Sequence, residues 1–174
     1  MSELPTTLQE FLEACEGKWF SQRTSYRLGQ TEEWHQSDKT NVFVELLAAE
    51  AVEVQQLCQQ AGVDGAHVLA AMVSHWEETL LRKTGRNLVV MLKDGRLLRQ
   101  LAQPTAGVVQ GRYVFGEDGS LSLTIAVDGL EAEERFWFAH PNLRLRTSLM
   151  RDPASGFDRS SFYSEIRMGA KPAQ

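Results

Sequence analysis

Cysteine is scarce, with Cys15 and Cys58 alone in 174 residues and no Cys-x-x-Cys pair. The disulfide framework of a small secreted domain is thereby excluded. Both cysteines fall in helix-like apolar patterns, which predicts buried, reduced thiols and a reducing compartment. Long apolar runs are also missing. The uncharged stretch from Ala66 to Trp76 falls well short of the roughly 20 residues that span a bilayer. The start Met-Ser-Glu-Leu-Pro, followed by Glu10 and Glu13, lacks the basic and apolar regions of a secretory signal. Positive charge is neither in excess nor clustered: 18 Lys and Arg stand against 23 Asp and Glu, for a net charge of −5. A phosphate-tracking nucleic-acid groove or a polybasic membrane surface is not expected of such a chain.

Signature motifs are equally sparse. There is no Walker loop, no dinucleotide glycine fingerprint after a strand and no His-Glu-x-x-His. The histidines at 35, 67, 75 and 140 lack ligand spacing, and His67 and His75 stand eight positions apart, too far for one ion. No metal is expected. Members of a Ser-His-Asp triad meet only in space, and nothing in the sequence points to one.

What is present is an ordinary globular composition, 43% hydrophobic with 13 glycines. One domain over residues 1–174 is expected, a length at which folding buries roughly 70% of the chain's surface without staples. Leu8, Phe11, Leu12 and Cys15 recur at helical spacing after Pro5, and Gly17 ends that helix. Val54, Leu57, Cys58 and Ala61 predict a second short helix stopped by Gly62.

The rest reads as strands: 18–28, 33–47, 107–115, 121–127, 130–139, 143–150 and 161–168, separated by turn-rich breaks that include a loop over 152–159. Asp94-Gly95 between two apolar runs signals a hairpin that needs positive φ. The stretch Val68 to Leu81 fits either a helix face (Leu69, Met72, Val73, Trp76, Leu80) or one strand face (Val68, Ala70, Met72, Ser74, Trp76, Glu78). Eight to ten strands in succession predict a mainly β, antiparallel sheet that closes into a barrel, since open edges invite aggregation. A barrel of that size has room for one small ligand. Residues 169–174 are expected to be a flexible tail.

Three features carry the chemical content. Gly17-x-Trp19 stands at the start of the first strand. If Trp19 points inward, so do Ser21 and Arg23, and an inward arginine needs a partner, a salt bridge across the barrel, or a bulge that turns it out. Third, in Glu134-Arg-Phe-Trp-Phe-Ala-His-Pro-Asn-Leu-Arg-Leu-Arg-Thr-Ser148, alternation puts Arg144, Arg146 and Ser148 on one face and Leu143, Leu145, Thr147 and Leu149 on the other. The polar face is either a solvated exterior or a pocket wall.

These stretches, together with Glu10-Phe11, Ser21-Gln-Arg-Thr-Ser-Tyr26 and Ser161-Phe-Tyr-Ser-Glu-Ile-Arg167, closely resemble the S-type phycobiliprotein lyases of the CpcS/CpeS family, from about Leu8 to Met168. The resemblance implies a lipocalin-like (calycin) barrel that binds a linear tetrapyrrole, or bilin, and joins it by a thioether to a cysteine of a phycobiliprotein subunit. It implies that Arg23, Arg144 and Arg146 meet the bilin propionates. It implies that Glu134 and Glu165 are the catalytic carboxylates that meet the pyrrole nitrogens, that Ser148 adds a hydroxyl, and that Trp76 offers a flat face, which reads 68–81 as strand. The bilin, phycocyanobilin or phycoerythrobilin, is then a substrate and no prosthetic group is implied. The expected partners are phycobiliprotein α or β subunits, with a homodimer or a heterodimer with a related lyase subunit as further possibilities, in a cyanobacterial cytoplasm or its equivalent. The other readings are a non-catalytic lipocalin-like carrier of a bilin, haem or fatty acid, and a partner subunit of another lyase.

Overall fold

The computed structural model describes residues 4–28, 35–78, 82–100, 107–127, 129–154 and 157–169. Helix α1 (Leu8–Cys15) leads into β1 (Gly17–Leu28) and β2 (His35–Leu47), and helix α2 (Val52–Gln60) and a 3-10 turn (Gly65–His67) follow. Then come β3 (Val68–Glu78), β4 (Thr84–Leu92), β5 (Arg96–Gln100), β6 (Val108–Phe115), β7 (Leu121–Val127), β8 (Leu130–His140), β9 (Leu143–Asp152) and β10 (Phe157–Met168). Every strand pairs antiparallel with its sequence neighbour, and β10 returns to β1, so the ten strands form a closed barrel. The expected barrel with two short helices is found, with a strand count at the upper end of the expected range.

Helix α1 starts because Thr7 and Glu10 satisfy each other's backbone. The Thr7 hydroxyl accepts from the Glu10 N–H at 3.2 Å, and the Glu10 carboxylate accepts from the Thr7 and Thr6 N–H groups. Backbone bonds from Thr6 hold that exposed carboxyl below the ordinary glutamate range. Phe11, Leu12 and Cys15 face one way at helical spacing and close one end of the barrel. Phe11 meets Phe138 and Phe115 edge-on, with ring centroids 5.1 and 5.7 Å away. Arg167 fixes the other end of the helix by donating to the carbonyls of Glu16 (2.7 Å) and Ala14 (2.6 Å), where a cation also complements the helix dipole.

Helix α2 lies outside. Its Val54, Leu57 and Cys58 cover Val68, Ala71, Val73, Leu88, Val90, Leu92 and Leu98. The unbroken apolar run Leu88–Leu92 follows, because Val89 and Met91 fill the interior while their neighbours meet α2. Both cysteines are buried free thiols, and burial pushes both pKa values up. Neither helix is long or apolar enough to cross a membrane.

Two local expectations change and one is met. The register between β3 and β4 shifts between Val68 and Ala70, so Val68 joins the α2-covered exterior with Ala71 and Val73 while Met72, Ser74, Trp76 and Glu78 face inward. The break expected over 152–159 is shorter, because β9 runs to Asp152 and β10 begins at Phe157. The expected Asp94-Gly95 hairpin is found, a three-residue connection in which Gly95 takes the positive φ (85°) and its N–H donates to the Leu92 carbonyl. Residues 33–34, 79–81, 128 and 170–174, named in the expectations for strands, turn and tail, lie outside the described residues.

Replacing Phe11 with Ala removes the side chain that meets both Phe115 and Phe138. The expected loss is about 3–5 kcal/mol of unfolding free energy. Thr7→Ala, which removes only the cap, is expected to cost about 1 kcal/mol. Denaturant midpoints of both variants check this ordering.

Candidate functional site

Strand alternation turns the barrel inside out with respect to polarity along β1, β9 and β10. Trp19, Ser21 and Arg23 face inward on β1, Arg144 and Arg146 on β9, Tyr163 and Glu165 on β10. The leucines of β9 face out, with Leu149 exposed. The polar face of that strand is therefore the wall of a cavity of about 310 Å³, within the size range of small-molecule sites. A wider groove on the exterior of β6–β9 gathers no buried charge, so the interior is the better candidate.

The floor is Trp19, fully buried, with its indole N–H donating to the Cys15 carbonyl at 2.8 Å. Arg144 lies over that indole, 4.8 Å from the ring, and donates to Glu165 at 2.6 Å. Both members of this pair are buried, Glu165 at 1% exposure. Burial alone raises a carboxyl's pKa, but the Arg144 and Arg146 charges and the bonds from Arg144 and Ser21 outweigh it and hold Glu165 below the ordinary range. Burial disfavours the Arg144 charge, yet the facing Glu165 carboxylate raises its pKa overall. Both shifts favour the charged form of the pair.

One rung higher, Arg146 spans two carboxylates without closing on either, 3.6 Å from Glu165 and 3.7 Å from Glu134. Its guanidinium stacks 3.6 Å from the Tyr163 ring and 5.4 Å from Phe136, and its Nε has no hydrogen-bond partner. Glu134 accepts from Arg99 at 2.9 Å, and Arg99 also donates to Asn87 at 3.0 Å. Arg23 is ion-paired with Asp38, which faces it directly across β1 and β2. Trp76 lies flat over Gly85, where an added Cβ would fall 2.1 Å from the indole.

The cavity thus brings together Arg23, Trp76, Glu134, Arg144, Arg146 and Glu165. Ser148 shares their inner face, opposite Ser161 and Glu134, one rung above Arg146 and outside the cavity lining. The alternatives for Arg23 resolve to an inward side chain with an internal salt bridge. Asp38, Glu78, Asn87 and Arg99 line the same cavity and escaped the sequence reading. The signal for Asp38 and Arg99 was parity: Arg99 alternates with the buried Leu97, and Asp38 with Thr40 and Val42. The register that makes them partners was not visible.

Chemically, the arrangement supplies fixed guanidinium forks, ionised carboxylates and aromatic faces around one space. No cysteine or histidine lines it among the described residues. It can orient an extended, conjugated, carboxylate-bearing molecule and set its protonation, and it leaves a nucleophile to come from elsewhere.

The profile of the family described as CpeS-like protein matches residues 7–168. A Thermosynechococcus vestitus protein called chromophore lyase CpcS/CpeS is 37% identical, covering 93% of each chain. Chromophore lyase CpcS/CpeS 1 of Trichodesmium erythraeum is also 37% identical, over 91% of this chain and 95% of that one. Among solved structures, the S-type phycobiliprotein lyase CPES of Guillardia theta superposes with a TM-score of 0.79 at 25% identity, covering 94% of each chain.

Removing the Glu165 charge leaves Arg144 buried and unpaired. Glu165→Gln is expected to cost about 3–5 kcal/mol at neutral pH, and Arg144→Met with Glu165→Leu to recover much of that. Because the folded Glu165 pKa is depressed, the pair's contribution is complete above the unfolded value of 4.5 and is lost as pH falls through the lower folded value. Unfolding free energies from pH 7 to pH 3 test this, with a shallower acid slope expected for the double variant. Gly85→Ala is expected to unseat Trp76, seen as a changed near-ultraviolet circular dichroism band.

Proposed function

The chain belongs to the CpeS-like protein family, and from that membership we propose that it is a phycobiliprotein chromophore lyase, an enzyme that holds a bilin and delivers it to a cysteine of a phycobiliprotein subunit. The observation that carries this reading is the position of Arg146. Its charge stands between two carboxylates at 3.6 and 3.7 Å, over two aromatic rings and in the middle of the cavity, with an N–H left to give.

A bilin carries two propionates and a chain of pyrrole nitrogens. A propionate competes well for Arg146, because neither existing carboxylate is at hydrogen-bond distance from it. Arg144 has little to offer directly, being committed to Glu165 at 2.6 Å; its part is to keep Glu165 ionised and in place. Glu134, held by Arg99 and facing the cavity, is the carboxylate best placed to accept from pyrrole N–H groups and to stabilise their protonated form. Trp76 provides a flat wall, and Arg23 with Asp38 closes the side of β1 and β2.

The acceptor's thiol adds across the exocyclic double bond of the bilin's first ring. A sulfur–carbon bond forms, the carbon–carbon π bond is lost, and the thiol proton ends on the bilin, so no oxidant, reductant or leaving group is required. The protein contributes orientation and protonation control, which is where the rate advantage of a held conformation lies. On this reading the whole chain acts as one bilin-binding barrel domain in the cytoplasm, where unmodified subunits are made. Its substrate is phycocyanobilin or phycoerythrobilin, its acceptor an α or β subunit, and it works alone, as a homodimer or beside a related lyase subunit.

The test is transfer of each bilin to unmodified α and β subunits, alongside titration of the free bilin into the protein. Binding with a red-shifted, sharpened absorption band and a thioether product on the acceptor is expected. Arg146→Ala is expected to weaken binding roughly ten- to a hundredfold. Glu134→Gln is expected to shift the bound spectrum and slow transfer more than it weakens binding. Cys15→Ser with Cys58→Ser is expected to leave transfer intact, since neither thiol lines the cavity. Unchanged binding and transfer in the Arg146 and Glu134 variants would refute the site.

A further inference from the structure

Among the described residues, two buried side-chain polar atoms lack a hydrogen-bond partner, and both are arginine Nε atoms of the barrel interior. One belongs to Arg146. The other belongs to Arg159, on β10 four residues from Tyr163 toward the end of the barrel away from α1, where strand alternation again points inward past Ser161. A buried N–H without an acceptor costs stability and is rare in native proteins, so each calls for a partner that the chain itself does not supply.

The surroundings of Arg159 sharpen this. Across the β1 pairing it faces Arg27, a second inward arginine, and across β9 it faces Met150. Like charges directly opposite one another on a sheet repel. No ion pair relieves either arginine among the described residues, whereas the cavity arginines 23, 99 and 144 each have a carboxylate. Asp152, the acidic side chain diagonally across on β9, accepts from the Ala154 N–H. Ser25 and Ser161 bond to each other at 2.8 Å between this level and that of Arg23 and Tyr163, so the two arginines lie beyond the cavity lining, toward the barrel end opposite α1, its mouth. That level thus holds two guanidinium groups facing each other, with no ion pair to either among the described residues and with the neighbouring Asp152 engaged at the Ala154 N–H.

We propose that Arg159, supported by Arg27, is a carboxylate subsite at the barrel mouth that takes one acid group of a dianionic ligand while Arg146 takes the other. The inference rests on the bilin reading above and adds to it an anchoring residue outside the cavity lining. The rungs of Arg146 and Arg159 are about 13 Å apart along the strands, a span that two long arginine side chains shorten from either end. A two-point grip also fixes which way round an elongated ligand lies, and hence which of its ends reaches the mouth.

The test compares phycocyanobilin with its dimethyl ester, which keeps the pigment and removes both charges, on the full chain and on Arg159→Gln. Arg159→Gln is expected to bind the diacid roughly ten- to a hundredfold more weakly while its affinity for the diester equals that of the unaltered protein. Arg159→Lys restores part of the loss. Without ligand, Arg159→Gln is expected to melt no lower than the unaltered protein, because it removes a buried Nε–H without an acceptor and a like-charge contact with Arg27. Equal diacid affinity would overturn the subsite, as would a parallel loss for diacid and diester or a lowered melting temperature without ligand. If the unaltered protein binds neither pigment, the bilin reading itself fails and this inference falls with it.

Discussion

The Arg144 guanidinium lies between the Trp19 indole and the Glu165 carboxylate, and the two halves of the barrel interior meet at that contact. Below it, apart from Arg167 with its bonds to the α1 carbonyls, the interior is apolar: Phe11, Leu12, Cys15, Phe138 and the aromatic contacts of α1. Above it the wall is charged. Taking two ions out of water is costly, and a pair of apolar side chains would often be no less stable. The pair therefore does more for the site than for stability. It keeps Glu165 ionised at 1% exposure, and that carboxylate in turn draws on Arg146 from one side while Glu134 draws on it from the other.

The ends of the barrel are matched to this division. Arg167 ties the carbonyls of Ala14 and Glu16 to β10 and lies 4.2 Å from the same indole that Arg144 covers. The helix that closes the barrel and the strand that carries Glu165 are thus joined through Trp19. Helix α2 plays a different part, covering the exterior of β3, β4 and β5 and so making that side of the wall a dry, two-sided layer. The site stands on the less covered side, on β1, β8, β9 and β10, where outward leucines and Phe162 remain exposed or half-buried and the inward face is polar.

Within the cavity the charges come as neighbours of opposite sign: Arg23 with Asp38, Arg99 with Glu134, Arg144 with Glu165. Such matching removes most of the penalty for burying them. It also ranks the arginines by availability, because a group already at hydrogen-bond distance from a carboxylate gains little from a second one. Arg146 is the exception built into the set. Family membership says what kind of reaction the protein serves, and the ranking says which side chains of the cavity are least committed to a partner within the chain.

The sequence by itself determined the local pieces. Helical spacing gave α1 and α2, turn residues separated most strands, and period-two alternation put Arg144, Arg146 and Ser148 on one face, because these patterns act over a few residues of a single chain. The motifs around Trp19, Glu134 and Glu165 also carried the family resemblance. Alternation could not say which face was inside, since a solvated exterior and a charged interior read alike. Tertiary structure decided that, by closing β10 onto β1 and so bringing Ser21 within hydrogen-bond distance of Glu165, 144 residues away. It also decided that Asp38 answers Arg23, that Arg99 holds Glu134 and that Val68 turns to the exterior at a bulge. Each of these depends on register between strands, and register is set by the closure of the whole barrel and not by any one strand.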